Sequence, residues 1–227
     1  MTIEIKFLGH SAFAISDGEN SILIDPFISG NPGVVTTHKN LSSKDILLTH
    51  AHGDHLGDAI ELSKRFNSSI TAVFELANYC GKKGAKAQGV NLGGRVSFEW
   101  GCAYWLTAVH SSSTPEGIYG GCPASILVNI GGVSIYHAGD TGLHSDLKII
   151  GEFYKPQISI LPIGGYYTMG IDEAVEAAKW LGSEKIIPMH YNTFPPIAVD
   201  VQDFKNKIES QTTAQCIVLK NGESFLL

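Results

Sequence analysis

The sequence predicts an α/β fold with a mixed β-sheet, and three features of the chain predict it. It opens with short apolar runs divided by turn residues, the pattern of an antiparallel meander. Apolar strands then alternate with amphipathic helices to the end. No low-complexity linker or repeat divides the 227 residues, so 1–227 reads as one domain. The early hairpins exclude an all-parallel sheet. Two mixed sheets face to face, with helices outside, would bury both kinds of run.

Ile3 to Gly9 carries Ile3, Ile5 and Phe7 on one face, the period of a strand. Ala12 to Ser16 and Ser21 to Asp25 follow, turned by Asp17-Gly18-Glu19-Asn20. A polar loop with glycine and proline runs from Pro26 to Ser43. Ile46 to Thr49 is a strand and leads to a helix from His55 to Phe66, where Leu56, Ala59, Ile60, Ser63 and Phe66 share a face. Tyr104 to Val109 and Ala124 to Ile130 are strands, and Gly131-Gly132 turns the second into Val133 to His137. Leu143, Leu147, Ile150 and Phe153 are spaced as on a helix, and Ile158 to Leu161 is a buried strand. Ile171, Ala174, Val175, Ala178 and Leu181 define an amphipathic helix, with Asp172 and Glu173 well placed in its first turn. Lys185 to Pro188 is a strand, and Val201, Phe204 and Ile208 mark the last helix. Strands Gln215 to Lys220 and Glu223 to Leu226 close the chain around Asn221-Gly222.

Apolar residues make up 44% of the chain, enough for a sizeable core. Charged residues make up 17%, below the ~25% usual for soluble domains. That shortfall fits a large core, and it also fits a contact between copies in a homo-oligomer. The net charge of −6 does not draw polyanions from a distance, which disfavours nucleic acid as a partner. No apolar run approaches the ~20 residues that span a bilayer, so no membrane partner is expected. Met1 to Phe7 reads as a strand rather than a secretory signal. Cys80, Cys102, Cys122 and Cys216 form no C-x-x-C pair and fit small buried side chains in a reducing compartment. The expected location is the cytoplasm.

Chemistry gathers in Thr49-His50-Ala51-His52-Gly53-Asp54-His55, directly after an apolar strand. Left unpaired in a core, these side chains would cost several kcal/mol each. A loop at a strand end can splay them around a cation instead. A polar turn with Asp54 capping the helix at His55 would account for one residue and leave three histidines without a role. His110, Asp140 and His190 each follow a later strand, where functional groups collect in α/β sheets. Asp25 either accepts hydrogen bonds that orient the histidine loop or forms the turn before Pro26. His10 either reaches the site or bonds within the first turn. His137 fits the core or the surroundings of the site, His144 stays open and His38 is expected on the surface. Tyr166, Tyr167, Thr168 and Tyr191 flank the site loops, as substrate contacts or as aromatic packing.

H-x-H-x-D-H followed by a His, an Asp and a His at strand ends resembles the metallo-β-lactamase superfamily, over nearly the whole chain. A closer similarity is to metal-dependent hydrolases near the ascorbate-6-phosphate lactonase-like proteins. Its marks are Gly9-His10-Ser11, Asp25-Pro26-Phe27, Gly139-Asp140-Thr141, Leu161-Pro162-Ile163-Gly164-Gly165 and Pro188-Met189-His190-Tyr191. The resemblance implies a four-layer αββα sandwich of two mixed sheets flanked by helices. It implies a first metal on His50, His52 and His110, a second on Asp54, His55 and His190, and Asp140 bridging them. Such a donor set suits two Zn²⁺ ions, with Mn²⁺, Fe²⁺ or Co²⁺ also compatible. No cysteine stands at a ligand position and a bridging aspartate is present, so antibiotic hydrolysis is disfavoured. His52 stands where the diiron redox branch usually carries Glu, which disfavours oxygen chemistry.

The expected activity is therefore a dinuclear-metal hydrolase. A metal-bridging hydroxide would cleave an ester, lactone, amide or phosphoester of a small anionic molecule. Asp54 is the candidate proton carrier, and Tyr167, Tyr191 and His10 are the candidate substrate contacts. A nuclease or phosphodiesterase on nucleic acid is the second reading. Val96 to Leu147, Pro156 to Ala178 and Ile186 to Phe204 contain no Lys or Arg, where a phosphate-tracking groove would need them. A non-catalytic metal-binding protein is the third, and the full ligand set argues against it.

Overall fold

The computed structural model describes residues 2–34, 36 and 41–227; the expectation for His38 lies outside the described residues. The first sheet holds β1 (Glu4–Gly9), β2 (Ala12–Ser16), β3 (Ser21–Ile24), β4 (Asp45–Leu47), β5 (Ser69–Val73) and β6 (Lys86–Val90). The second holds β7 (Arg95–Phe98), β8 (Gly101–Thr107), β9 (Ala124–Ile130), β10 (Val133–His137), β11 (Ile158–Pro162), β12 (Lys185–Met189) and β13 (Gln215–Cys216). The last strand, β14 (Ser224–Leu226), returns to the first sheet beside β1. The orders are β14-β1-β2-β3-β4-β5-β6 and β13-β12-β11-β10-β9-β8-β7. Each sheet begins antiparallel and continues parallel. The antiparallel pairs are β1–β14, β1–β2, β2–β3, β7–β8, β8–β9 and β9–β10, and the parallel runs are β3 to β6 and β10 to β13.

Helices cover the outer faces. α2 (Ala59–Phe66) and α3 (Phe74–Lys82) pack on the first sheet, and α4 (Asp146–Tyr154), α5 (Ile171–Leu181) and α6 (Val201–Gln211) line the second. Strands covered on both faces read as unbroken apolar runs, and all five residues of β11 are buried. α5 buries Ala174, Val175, Ala177, Ala178 and Leu181, and Gly182 ends it in the left-handed region at φ 65. α6 starts on Asp200, which accepts from the Gln202 amide, and buries Phe204 and Ile208. Burying a side chain of that size contributes about 1.5–3 kcal/mol. Between the sheets Trp105 donates its indole N–H to the Leu48 carbonyl at 3.2 Å, and Phe13 meets His137 edge-on. No helix among the described residues is long and apolar enough to cross a membrane.

Strand direction places the site. β9 is antiparallel to both β8 and β10, and β11 and β12 are parallel to β10, so β8, β10 and β12 all run one way. By the same count β1, β3 and β4 run together in the first sheet. His10, Asp25 and the His50 loop follow β1, β3 and β4, while His110, Asp140 and His190 follow β8, β10 and β12. Each group therefore lies along one edge of its sheet.

The expected helix from His55 to Phe66 is two helices. α1 (Gly53–Leu56) starts before His55, and the chain breaks at Gly57 before α2. Gly57 sits at φ 44 against the Pro26–Phe27 backbone, and Asp58 then ties down the next turn by accepting from Ile28 and Ser29. The N-cap of α1 is His52 rather than Asp54. The strand expected over Gln215 to Lys220 pairs only at Gln215–Cys216, and the strand expected to reach Val109 ends at Thr107.

A Cβ on Gly57 would meet the Pro26 carbonyl oxygen at 2.5 Å and Phe27 Cα at 2.6 Å, both backbone atoms. Gly57→Ala is therefore expected to cost about 2–4 kcal/mol in urea denaturation. Gly81→Ala, on α3 with nothing within 4 Å of the new Cβ, should be neutral or stabilising by up to about 1 kcal/mol. Equal midpoints for the two variants would contradict the close approach at Gly57.

Candidate metal centre

Thr49 and His50 leave β4 directly into the crevice, and Asp25 waits there from the end of β3. Asp25 is fully buried. It accepts the Thr49 amide on Oδ1 at 2.9 Å, the Thr49 hydroxyl on Oδ2 at 2.6 Å and His55 Nδ1–H on Oδ2 at 2.7 Å. With its proton given to Asp25, the Thr49 hydroxyl accepts from His50 Nδ1 at 3.0 Å. Both histidines thus carry hydrogen on Nδ1 and keep a bare lone pair on Nε2.

Those lone pairs point into a common cluster. His50 Nε2 lies 3.0 Å from His52 Nδ1, and ligand atoms of His50, His52 and His110 fall within 4.8 Å of one another. His50, His55 and Asp140 form a second such group, and His10, Asp54, His55 and His190 a third. Asp140 stands in the middle: Oδ1 is 3.1 Å from His55 Nε2, and Oδ2 is 3.1 Å from His190 Nε2 and 3.4 Å from His110 Nε2. All seven residues expected as ligands are brought together.

The donors fit cations. His55 Nε2 and Asp140 Oδ1 are both buried, yet neither has a hydrogen-bond partner among the described residues. Buried polar atoms are normally paired, so two bare acceptor positions facing each other suit a shared positive charge. The titration behaviour agrees. Burial holds His50 well below the ordinary imidazole value, helped by the charge of His55. Burial also opposes a proton on His55, but Asp140 and Asp25 outweigh it and push that imidazole well above its ordinary value. A proton or a cation at that position answers the same local excess of negative charge. Burial likewise resists ionisation of Asp140 and Asp54. The histidines around Asp140, and the His10 hydrogen bond with the His55 charge at Asp54, hold both carboxyls below the usual range.

The cluster opens into a cavity of about 470 Å³ lined by His52, Asp54, His110, Ser111, Asp140, Tyr167, His190 and Phe194. Tyr167 is on that wall and more than half exposed, with the Tyr166 ring edge-on to it at 4.7 Å. Tyr191 lines a neighbouring cavity together with His10 and Thr193 instead. His10 has both ring nitrogens engaged, one with Asp54 and one with Thr193. His137 is core: Nε2 donates to the Ser11 carbonyl and Nδ1 accepts the Gly139 amide. His144 stands outside the cluster, and its buried nitrogens have no partner among the described residues. The Gly164–Gly170 loop is closed by a Gly165-to-Met169 backbone bond, and the Met169 amide donates to Thr141. Sequence reasoning missed Ser111 and Phe194. Their one signal was position, beside His110 and shortly after His190.

Fold and donor set together define a class, the β-lactamase superfamily. The model of the β-lactamase superfamily domain matches residues 4–190. A protein of Thermus thermophilus named UPF0173 metal-dependent hydrolase is 46% identical over 225 residues, covering 99% of each chain. Igni18, described as a novel metallo hydrolase from the archaeon Ignicoccus hospitalis, superposes with a TM-score of 0.92 at 38% identity, over 100% of this chain and 99% of that one. A diiron β-hydroxylase from Streptomyces venezuelae, CmlA, has a TM-score of 0.74 at 15% identity over 100% of this chain and 53% of its own, a likeness of fold alone. The chain belongs to the UPF0173 metal-dependent hydrolase family of the β-lactamase superfamily.

Asp25 makes no contact with the open cavity, so its substitution probes orientation alone. Asp25→Ala is expected to weaken metal binding by about 10–100-fold. Thr49→Val, which keeps the Asp25–His55 bond, should weaken it less. Calorimetric titration of the metal-free protein with Zn²⁺ measures both, and unchanged affinity in Asp25→Ala would remove the orienting role.

Proposed function

We propose that the protein is a dinuclear-metal hydrolase that cleaves an ester, lactone, amide or phosphoester of a small anionic molecule. The observation that carries this reading is the convergence of five histidines and two aspartates at the floor of one open cavity. Seven donors exceed what one tetrahedral ion can use. His50, His52 and His110 would hold one ion, Asp54, His55 and His190 the other, and Asp140 would touch both. Zn²⁺ suits this set best, with Mn²⁺, Fe²⁺ and Co²⁺ as compatible ions. Two divalent ions held there would supply a water acidified to near-neutral pKa and a Lewis acid for the scissile bond.

The chain's residues divide the remaining work. Asp54 is half of a hydrogen-bonded pair at the cavity edge, with its side chain 30% exposed, and is placed to take and return a proton. Tyr167 and Phe194 form an aromatic wall against which a substrate body can lie, and Ser111 offers a hydroxyl beside His52. Asp140, 2% exposed at the bottom of the cavity, would serve the ions.

Charge narrows the substrate. Two divalent ions bring four positive charges; Asp54, Asp140 and a hydroxide remove three, leaving about one. No Lys or Arg lines the cavity among the described residues, so the ions alone supply attraction for an anion. A cavity of about 470 Å³ is in the small-molecule range. A polymer would need a basic groove that the lining does not offer. The cysteines Cys80, Cys102, Cys122 and Cys216 are free, which supports a reducing, cytoplasmic setting.

Elemental analysis after reconstitution with Zn²⁺ or Mn²⁺ should give two ions per chain. Asp140→Ala should lower occupancy of both sites and His190→Ala mainly one; a wild-type content of one ion refutes the dinuclear reading. With metal-loaded protein, small esters, lactones and phosphoesters should turn over with a Michaelis constant that changes little between low and high salt, since few remote ion pairs are there to screen. Single-stranded DNA or RNA should not be cut. Efficient, steeply salt-sensitive cleavage of the polymer, with every small substrate poor, would establish the nuclease instead.

A further inference from the structure

His10 falls within the same 4.8 Å cluster as Asp54, His55 and His190, which makes it either a further ligand or a holder of one. Hydrogen-bond chemistry separates the two roles. Nε2 of His10 lies 3.0 Å from Asp54 Oδ2. A carboxylate oxygen only accepts, so this nitrogen carries hydrogen and has no lone pair to give an ion. Nδ1 faces the other way, 2.9 Å from the Thr193 hydroxyl. The donation to Asp54 stands whether the ring is neutral or charged.

The backbone holds the ring in place. His10 lies in the left-handed region at φ 59, just after Gly9 at φ 108, a conformation that is strained for a non-glycine residue. A Cβ on Gly9 would come within 2.9 Å of Asn31 Nδ2, so only glycine fits there without displacement. The His190 amide donates to the His10 carbonyl at 2.8 Å, latching the turn after β1 to the turn after β12. The two rings stack obliquely with centroids 4.2 Å apart. His10 is 2% exposed and does not line the metal cavity, whereas Asp54 does. Asp54 rides on the four-residue helix α1, and the Oδ2 that meets His10 also lies 3.8 Å from His190 Nε2.

We propose that His10 is a positioning residue for the metal centre: through Nε2–H it fixes the Asp54 carboxylate in the ligand set, with its own orientation set by Thr193. This assignment rests on the proposed role of Asp54 as a ligand. It makes the turn after β1 part of the metal site although His10 touches neither ion nor substrate.

The test is metal affinity of the metal-free protein, by Zn²⁺ titration against a competing chelator, with the visible spectrum of the Co²⁺-loaded protein as a second readout. His10→Ala should weaken one binding step by about 10–100-fold and leave the other unchanged. His10→Gln, whose amide N–H can still donate to Asp54, should restore most of that affinity. The Co²⁺ spectrum of His10→Gln should keep the band positions and intensity of wild type, because no ligand has changed. Thermal unfolding of the metal-free variants checks that both fold. Loss of a binding step in both Ala and Gln variants, as deep as in His190→Ala, with an altered Co²⁺ spectrum, would make His10 a ligand and overturn the proposal. Unchanged affinity in His10→Ala would overturn it as well. A wild-type chain that binds one ion refutes the dinuclear reading separately. His10 is then judged on that single affinity, which must fall with Ala and recover with Gln.

Discussion

Three donors converge on the carboxylate of Asp25 in a place with no solvent: the Thr49 amide, the Thr49 hydroxyl and His55 Nδ1. A buried carboxylate is costly unless it is satisfied in this way, so the bonds stabilise the arrangement and fix it at once. The direction of each bond decides the chemistry. Because Asp25 can only accept, His55 must hold its hydrogen on Nδ1. Because the Thr49 hydroxyl donates to Asp25, it can only accept from His50. One residue at the end of β3 therefore turns two imidazoles so that their free lone pairs face the crevice. The local backbone is strained to do so, with Asp25 at φ 46. His10 and His190, at φ 59 and 55, share that left-handed geometry. Three of the non-glycine residues in this region therefore lie at the centre, each as the first residue after a strand.

That recurrence follows from topology. A strand that ends at the crevice must turn sharply to keep its next side chain in it rather than run on into solvent. The two sheets supply such ends from opposite sides, and the His190-to-His10 backbone bond joins them. The site is thus an interface between the two halves of the sandwich, each contributing donors that neither could assemble alone. Gly139, at φ 60, serves the same purpose before Asp140: a Cβ there would meet the Ala124 carbonyl at 2.7 Å and Thr49 at 3.0 Å. Close packing at this residue brings Asp140 up to the histidine loop.

Much of this was legible in the sequence, and for identifiable reasons. β9 and β10 are legible to the residue because an apolar run, a Gly-Gly turn and a second apolar run leave one solution. The ligand set was legible because H-x-H-x-D-H packs more polar donors into one loop than a core can absorb. The stretch from Asn67 to Ala103 gave little signal. β6 is a sheet edge with no buried residue, and the alternation Arg95-Val96-Ser97-Phe98 of edge strand β7 is only four residues long, so neither stands out in the sequence. The break at Gly57 was hidden because Leu56 and Ala59 keep helical spacing across it; only the close approach of the Pro26–Phe27 backbone, a tertiary fact, demands it. Residue type leaves Asp25 and His10 two roles each, because hydrogen-bond direction cannot be read from it. Thr193 lies 183 positions from His10, a partnership that only the folded chain makes.

Specificity then has few places to reside. His50, His55 and Asp140 are turned toward one another in the cluster, and all are buried. Asp54 is tied to His10 and His52 leans on His50 and, more loosely, Ser111. Among the residues lining the cavity, those outside the expected ligand set are Tyr167, Phe194 and Ser111, at the mouth. None of these carries charge, so on the dinuclear reading the ions choose an anionic reacting group and the mouth chooses the body attached to it. On the same reading, two aromatic faces and one hydroxyl suit a compact body with apolar surface, to which the mouth offers contact area rather than a line of directed hydrogen bonds. The metal floor is fixed by the core of both sheets, whereas Tyr167 and Phe194 stand on loops outside it. A change of substrate can therefore be made at the mouth without disturbing the bonds that Asp25 and His10 impose on the metal centre.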